Sequence, residues 1–275
     1  VAYINEGHVP GHHRDGMALE GWGQLPLWQN RAALSLGAGL YHYFDTQILP
    51  PDGSADVHGT APILSLAFTG RLRSRWFYQM MVNSIRPAHE MRVNTAVLGV
   101  GYWFGPDPTS ALIEPGEAER APDSTPRSEF TVFGGRSVVN TFLSQSATAC
   151  ALEYRRGLTP YLAWTASLIH EGDPEIVRRD GLAVQVWAVN TFFHDHVDVG
   201  IGLGPYVFID RKHPTGKSWN GGAMVAPMVS LEVTRWLSET WSVRVLFHRV
   251  ASNYNRDSDI FLLGVGYRCP GRQHP

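Results

Sequence analysis

Cysteine and charge are scarce in this chain, and long apolar runs are missing altogether. The two cysteines, Cys150 and Cys269, have no metal-ligand spacing and leave either one disulfide or two unrelated thiols. Only 17% of the residues are charged and the formal charge is −2, which provides no basic surface for nucleic acid. No stretch of about 18 apolar residues occurs, so a transmembrane helix is excluded. No basic segment followed by an apolar one opens the chain, so any secretory signal is expected to lie outside this sequence. No nucleotide-binding, phosphate-loop or zinc motif is present, and no cofactor is expected. What is abundant is glycine (28), proline (18) and tryptophan (9) in 275 residues that are 44% hydrophobic. That is a turn-rich β composition with enough apolar surface to order most of the chain.

The chain repeats itself at a fixed offset of 165, since Glu6-Gly7 recurs as Glu171-Gly172 and Arg14-Asp15-Gly16 as Arg179-Asp180-Gly181. Trp22, Gly37, Gly39, Tyr41 and Asp45 recur as Trp187, Gly202, Gly204, Tyr206 and Asp210. Leu98-Gly99-Val100-Gly101-Tyr102 recurs as Leu263-Gly264-Val265-Gly266-Tyr267. Residues 1–105 laid ungapped on 166–270 give 24 identities, against roughly six by chance, which marks a duplication. The copies are therefore placed at 1–104 and 128–270, with a short tail at 271–275. Between them, 105–127 is a linker rich in proline and acid, expected on the periplasmic side. Residues 128–165 have no first-copy partner, so the chain is expected to start partway through a repeat.

Alternation of apolar with small or polar residues predicts eight strands in the second copy, at roughly 128–140, 146–156, 160–170, 181–191, 197–210, 223–235, 240–251 and 258–268. Lengths of about ten residues or more suit tilted membrane strands. In 197–209, Val197, Val199, Ile201, Leu203, Val207 and Ile209 share one face, with Asp198, Gly200, Gly202 and Gly204 on the other. The small, polar face also carries Glu232 and Arg244 in mid-strand, which a lipid-facing wall would reject. In the first copy these two become Ala67 and Gln79. Their joint loss avoids a lone buried charge, and a lumenal Glu232–Arg244 contact is expected. Asp198, Gln185 and His248 are assigned to the same lumen.

The predicted fold is thus an all-β, antiparallel transmembrane barrel of about 14 strands, about six from the first copy (the first only Val1–Asn5) and eight from the second. A single wide barrel is preferred to two small ones, because six strands close poorly alone. Long polar loops, such as 211–222 and its counterpart 46–60, are expected to alternate with short turns. Trp76, Trp236, Trp241, Tyr206 and Tyr267 near strand ends are expected in interfacial girdles.

The segment from Arg244 to Arg268, with His248, Ser252, Asn253 and a closing Gly264-Val265-Gly266-Tyr267-Arg268, resembles the C-terminal end of the lipid A 3-O-deacylase family of eight-stranded outer-membrane barrels. The resemblance implies His248 as general base, Ser252 as nucleophile and Asn253 beside the oxyanion. The family has one residue between its His and Ser, whereas three intervene here and Val250 holds the expected serine place. The first copy has Asn83 and Pro87 at these positions, so it carries no second site.

Asn255, Arg256, Asp257 and Asp259 could bind a cation or a sugar, or simply form an ordered hairpin turn. His8, His12, His13 and Asp15 could ligate a metal, yet Asp173, Val177 and Arg178 replace the histidines in the second copy, so a solvated loop is expected. The function that follows is a non-enzymatic barrel of the bacterial outer membrane: a pore, an export conduit or a structural envelope component. The expected partners are the lipid bilayer, lipopolysaccharide and other envelope proteins, and not nucleic acid. A lipid A hydrolase confined to the second copy and a soluble ligand-binding barrel are the two alternatives.

Overall fold

Alternating side chains demand extended backbone, and the described residues form fourteen antiparallel strands. The computed structural model describes residues 1–9, 11–49, 53–72, 76–87, 92–103, 128–141, 144–193, 196–212 and 223–269, the side chains of 7–9 excepted. The expected linker at 105–127, the tail at 271–275 and most of the 211–222 loop lie outside the described residues. The chain divides into two units, Val1–Ala118 and Glu119–Pro275.

In the first unit, β1 (Ala2–Val9), β2 (His12–Leu27), β3 (Ala32–Leu49), β4 (Gly53–Arg71), β5 (Trp76–Ile85) and β6 (Val93–Tyr102) form a sheet ordered as in the chain. In the second unit, β7 (Ser128–Val139), β8 (Gln145–Thr159), β9 (Leu162–His170), β10 (Arg179–Phe192), β11 (Val197–Asp210), β12 (Met224–Trp236), β13 (Trp241–Val250) and β14 (Ser258–Arg268) form a closed barrel. β14 completes the circle by pairing with β7, from Ser258 opposite Val139 to Arg268 opposite Glu129. The pairings recur at the sequence offset: Arg14 faces Asp45 as Arg179 faces Asp210, and Trp76 faces Tyr102 as Trp241 faces Tyr267.

This closure corrects the expectation of one wide 14-stranded barrel. The second copy satisfies both of its own edges, and eight strands leave a lumen that side chains fill. The expected long loop at 46–60 is also corrected. β3 runs to Leu49 and β4 starts at Gly53, with Thr46 opposite Asp56 and Ile48 opposite Ser54. The ladder needs only backbone groups, so it continues where the apolar pattern fades, and Thr46 Oγ1 donates to Asp56 Oδ1 at 2.9 Å.

In the barrel the apolar face is the outer one. Leu203, Leu263, Val132 and Val225 are each more than half exposed, while Phe133, Trp187, Leu246 and Ile260 fill the interior. Inward glycines make room for the large interior rings. A Cβ on Gly202 would lie 2.6 Å from the Trp187 ring. In the first unit's sheet a Cβ on Gly37 would meet the Trp22 ring at 2.8 Å, although Trp22 itself is exposed there. The strand ends Val139 and Gln145, His170 and Arg179, Asp210 and Met224, and Val250 and Ser258 share one end of the barrel, the loop end. Thr159 and Leu162, Phe192 and Val197, and Trp236 and Trp241, joined by shorter connections in the sequence, share the other, the turn end, with Ser128 and Arg268.

An aromatic belt rings part of the turn end. Trp241 meets Tyr267 and Phe130 meets Tyr154, both at 5.1 Å between centroids, and Tyr154 meets Trp164 at 5.5 Å. Trp76 packs on Tyr102 at 5.2 Å in the first unit. Two aromatics assigned to girdles lie elsewhere. Tyr206 is fully buried in the lumen, and Trp236 is 6% exposed with its Nε1 donating to Asp198 at 2.7 Å. Both share inward parity with Gly202 or Glu232, and parity outranks closeness to a strand end.

Candidate functional site

The inward positions of the barrel carry two layers of charge separated by an apolar and hydroxyl-lined middle. At the turn end, Arg244 of β13 points between β7, β8 and β12. Its Nη1 donates to Glu153 Oε1 at 2.5 Å and its Nη2 to Glu129 Oε1 at 2.7 Å. Nε donates to Thr234 Oγ1 at 3.1 Å and lies 3.7 Å from Glu232 Oε2. The nearer partner of Glu232 is Arg155, at 2.6 Å. Ser242 donates to Glu129 at 3.2 Å and Ser167 to Glu153 at 2.9 Å. Every carboxylate thus has a charged or hydroxyl partner, which makes burial of such a set tolerable.

The pair read from sequence, Glu232 and Arg244, is therefore one edge of a five-residue network. Glu129, Glu153 and Arg155 escaped notice because β7 and β8 have no first-copy partner against which a paired change would show. Parity was the available signal: Glu153 and Arg155 fall on the same face as Ala149 and Ala151.

Above this layer His248 is fully buried, its Nδ1 2.6 Å from Ser230 Oγ, and Gln185 Nε2 donates to the same hydroxyl at 2.8 Å. Ser252 sits in the β13–β14 turn, where its backbone N donates to Asp257 Oδ1 at 2.7 Å and its hydroxyl to the same oxygen at 3.2 Å. The histidine and serine named by the family resemblance thus bond to different partners, and Asn253 is exposed. Asn255 adopts φ 58°, Arg256 N donates to Ser252 Oγ at 2.9 Å, and Asp259 accepts from Arg249 Nη1 at 3.0 Å. These contacts are those of an ordered turn. Of the histidine group, His12 Nδ1 lies 2.8 Å from Asp45, while Asp15 accepts from Tyr3 at 2.5 Å. The side chain of His8 lies outside the described residues. No group of three metal-ligating side chains occurs among the described residues.

The second charged layer, at the loop end, centres on Arg179. It donates to Tyr254 Oη at 2.9 Å, to Ser258 Oγ at 3.1 Å, to Glu171 Oε2 at 3.3 Å and to the Arg256 carbonyl. Tyr254 donates onward to Asp210 Oδ2 at 2.9 Å, and burial pushes its phenol pKa up. The repeat carries the glutamate, arginine and aspartate of this set in the first unit, whereas Tyr254 and Ser258 correspond to His89 and Val93. Arg14 pairs with Glu6 at 2.9 Å, and Asp45 takes His12 and Gln47 as partners. Tyr41 stacks on Tyr43 as Tyr206 stacks on Phe208. Glutamate, arginine, tyrosine and aspartate identical at one offset were the signal for this constellation.

Beyond that layer, Lys212 ties two loops together by bonding both Asp173 and the Pro174 carbonyl. The Lys212 hydrogen bond holds the Asp173 carboxyl below the usual aspartate range. A depressed pKa means the tether is in place above the ordinary value and is lost as pH falls through the depressed one. Lys212→Gln is expected to raise this carboxyl's pKa toward the ordinary aspartate range, with Arg178 still beside it at 3.8 Å, as followed by carboxyl-carbon NMR titration.

No protein-family model and no characterised protein sequence matches the chain. Among solved structures it is similar to the N-terminal β-barrel domain of Pseudomonas aeruginosa OprF, at 11% identity and a TM-score of 0.42, covering 54% of this chain and 100% of that one. Ail, the attachment invasion locus protein of Yersinia pestis, gives 14% identity and a TM-score of 0.33 over 52% of this chain and 99% of Ail. The KdgM porin gives 9% and 0.21 over 96% and 94%. None is similar enough in sequence or superposition to assign an activity.

Proposed function

We propose that this chain is a bacterial outer-membrane β-barrel protein whose closed unit serves as a plugged, structural component of the envelope. One observation carries the reading: charge is buried inside the barrel while leucine and valine cover its outside. A soluble barrel has the reverse order, and hydrocarbon rather than water is the solvent that favours this one. Long connections at one end, short turns at the other and aromatics on the turn side support the same orientation, with the loops outside. The bilayer is then its first partner.

The lumen supports a plug more than a conduit. Arg244 and Arg179 close the two layers across an eight-stranded interior, and both are fully buried. His248, bonded to Ser230 inside the lumen, lends no support to a hydrolase. The full chain, folded into lipid vesicles, is expected to resist alkaline extraction and to change gel mobility on heating. Liposomes carrying it are expected not to swell in a monosaccharide gradient. A folded chain that stays in the aqueous phase would overturn the membrane reading, and swelling would overturn the plug.

A further inference from the structure

On the outer wall, across β13, β14, β7 and the start of β8, lies a groove of about 630 Å³ whose lining includes Gly134, Arg136, Ser146, Val245, Phe261 and Leu263. Gly134 makes the gap. It points outward between larger neighbours, and a Cβ added there would meet nothing within 4 Å. Phe247 and Phe261, 5.1 Å apart, form one wall. Near the loop end stands Arg136, exposed, its Nη2 donating to Ser146 Oγ at 2.6 Å. Among the described residues no carboxylate lies within ion-pair distance of it, whereas the nearby Arg249 is paired with Asp259 at 3.0 Å.

Polarity is ordered along the strand. Arg136 lies three residues before the end of β7 at Val139, and Gly134 two residues deeper. At about 3.3 Å per residue the cation sits within roughly 10 Å of the loop end, with the apolar floor below it. An uncompensated arginine at that depth of a membrane wall needs a counter-ion, and a lipid phosphate is the anion a bilayer places there.

We propose that this groove is a lipid site, holding the headgroup phosphate of an anionic lipid on Arg136 and one acyl chain over Gly134. The proposal rests on the membrane reading above. It is tested by native mass spectrometry of the full chain, released from micelles titrated with dioleoylphosphatidylglycerol or dioleoylphosphatidylcholine. The expected result is one retained phosphatidylglycerol, with phosphatidylcholine retained several-fold less because its own ammonium already neutralises the phosphate that Arg136 would take. Arg136→Gln, which removes the cation, and Gly134→Trp, which fills the gap, are each expected to lower phosphatidylglycerol retention about fivefold or more. The tryptophan projects into open space, so heat-dependent gel mobility is expected to be unchanged and serves as the folding control. Equal retention of the two lipids, or retention unaltered in both variants, would overturn the groove while leaving the membrane reading intact. Failure of the unmodified chain to enter vesicles would overturn both.

Discussion

Replacing Arg244 with methionine is expected to cost the closed barrel about 3–5 kcal/mol, because it strands buried carboxylates rather than merely deleting a contact. The guanidinium is fully buried and serves Glu129 and Glu153 directly, with Glu232 at 3.7 Å. Without it, Glu129 keeps the hydroxyls of Thr131 and Ser242, and Glu153 keeps that of Ser167. Arg155 alone remains to balance three acids. Urea unfolding of the lipid-folded chain, followed by tryptophan fluorescence, reads the loss. The first unit shows how a neutral version is built: Gln79 Nε2 donates to Thr69 Oγ1 at 3.0 Å, where Arg244 donates to Thr234. Adding Glu129→Gln and Glu153→Gln to the Arg244→Met chain is accordingly expected to restore most of the lost stability, since a network emptied of charge avoids the desolvation cost. If the triple variant were as unstable as the single one, lost packing and not stranded charge would be responsible.

Strand positions were legible because each rests on local alternation. The segments expected at 240–251 and 258–268 are β13 (Trp241–Val250) and β14 (Ser258–Arg268). The facing of Val199, Leu203 and Val207 away from Gly200 and Gly202 was legible for the same reason. Closure was not, because it depends on β14 finding β7 across more than a hundred residues. The offset of 165 equates the copies without stating whether they share a circle. Within the lumen, Glu232 and Arg244 stood out by changing together between copies. Glu171, Arg179 and Asp210 did the opposite: they stayed identical in both copies and passed as markers of the repeat. A charge retained on an inward face is as informative as one lost in company, since neither water nor lipid reaches it there.

Arginine placed at Leu203 is expected to destabilise the lipid-folded chain by about 2–4 kcal/mol, whereas arginine at Val225 costs about 0–1. Both residues are strongly exposed on the outer wall, at 62% and 63%, so water-facing chemistry would treat them alike. Depth separates them. Leu203 lies at the middle of β11, flanked by Val186 and Val229 on the neighbouring strands, and Val225 is the second residue of β12 at the loop end. In hydrocarbon the mid-strand guanidinium has nothing to solvate it, while the one near the rim reaches the headgroups by extending its stem. On a soluble barrel both changes would stay within about 0.5 kcal/mol, as exposed substitutions usually do. Equilibrium folding into vesicles of the two variants, measured side by side, therefore tests orientation and solvent at once. A gap between them of about 2 kcal/mol or more requires an outer wall that meets lipid, with β11 spanning it.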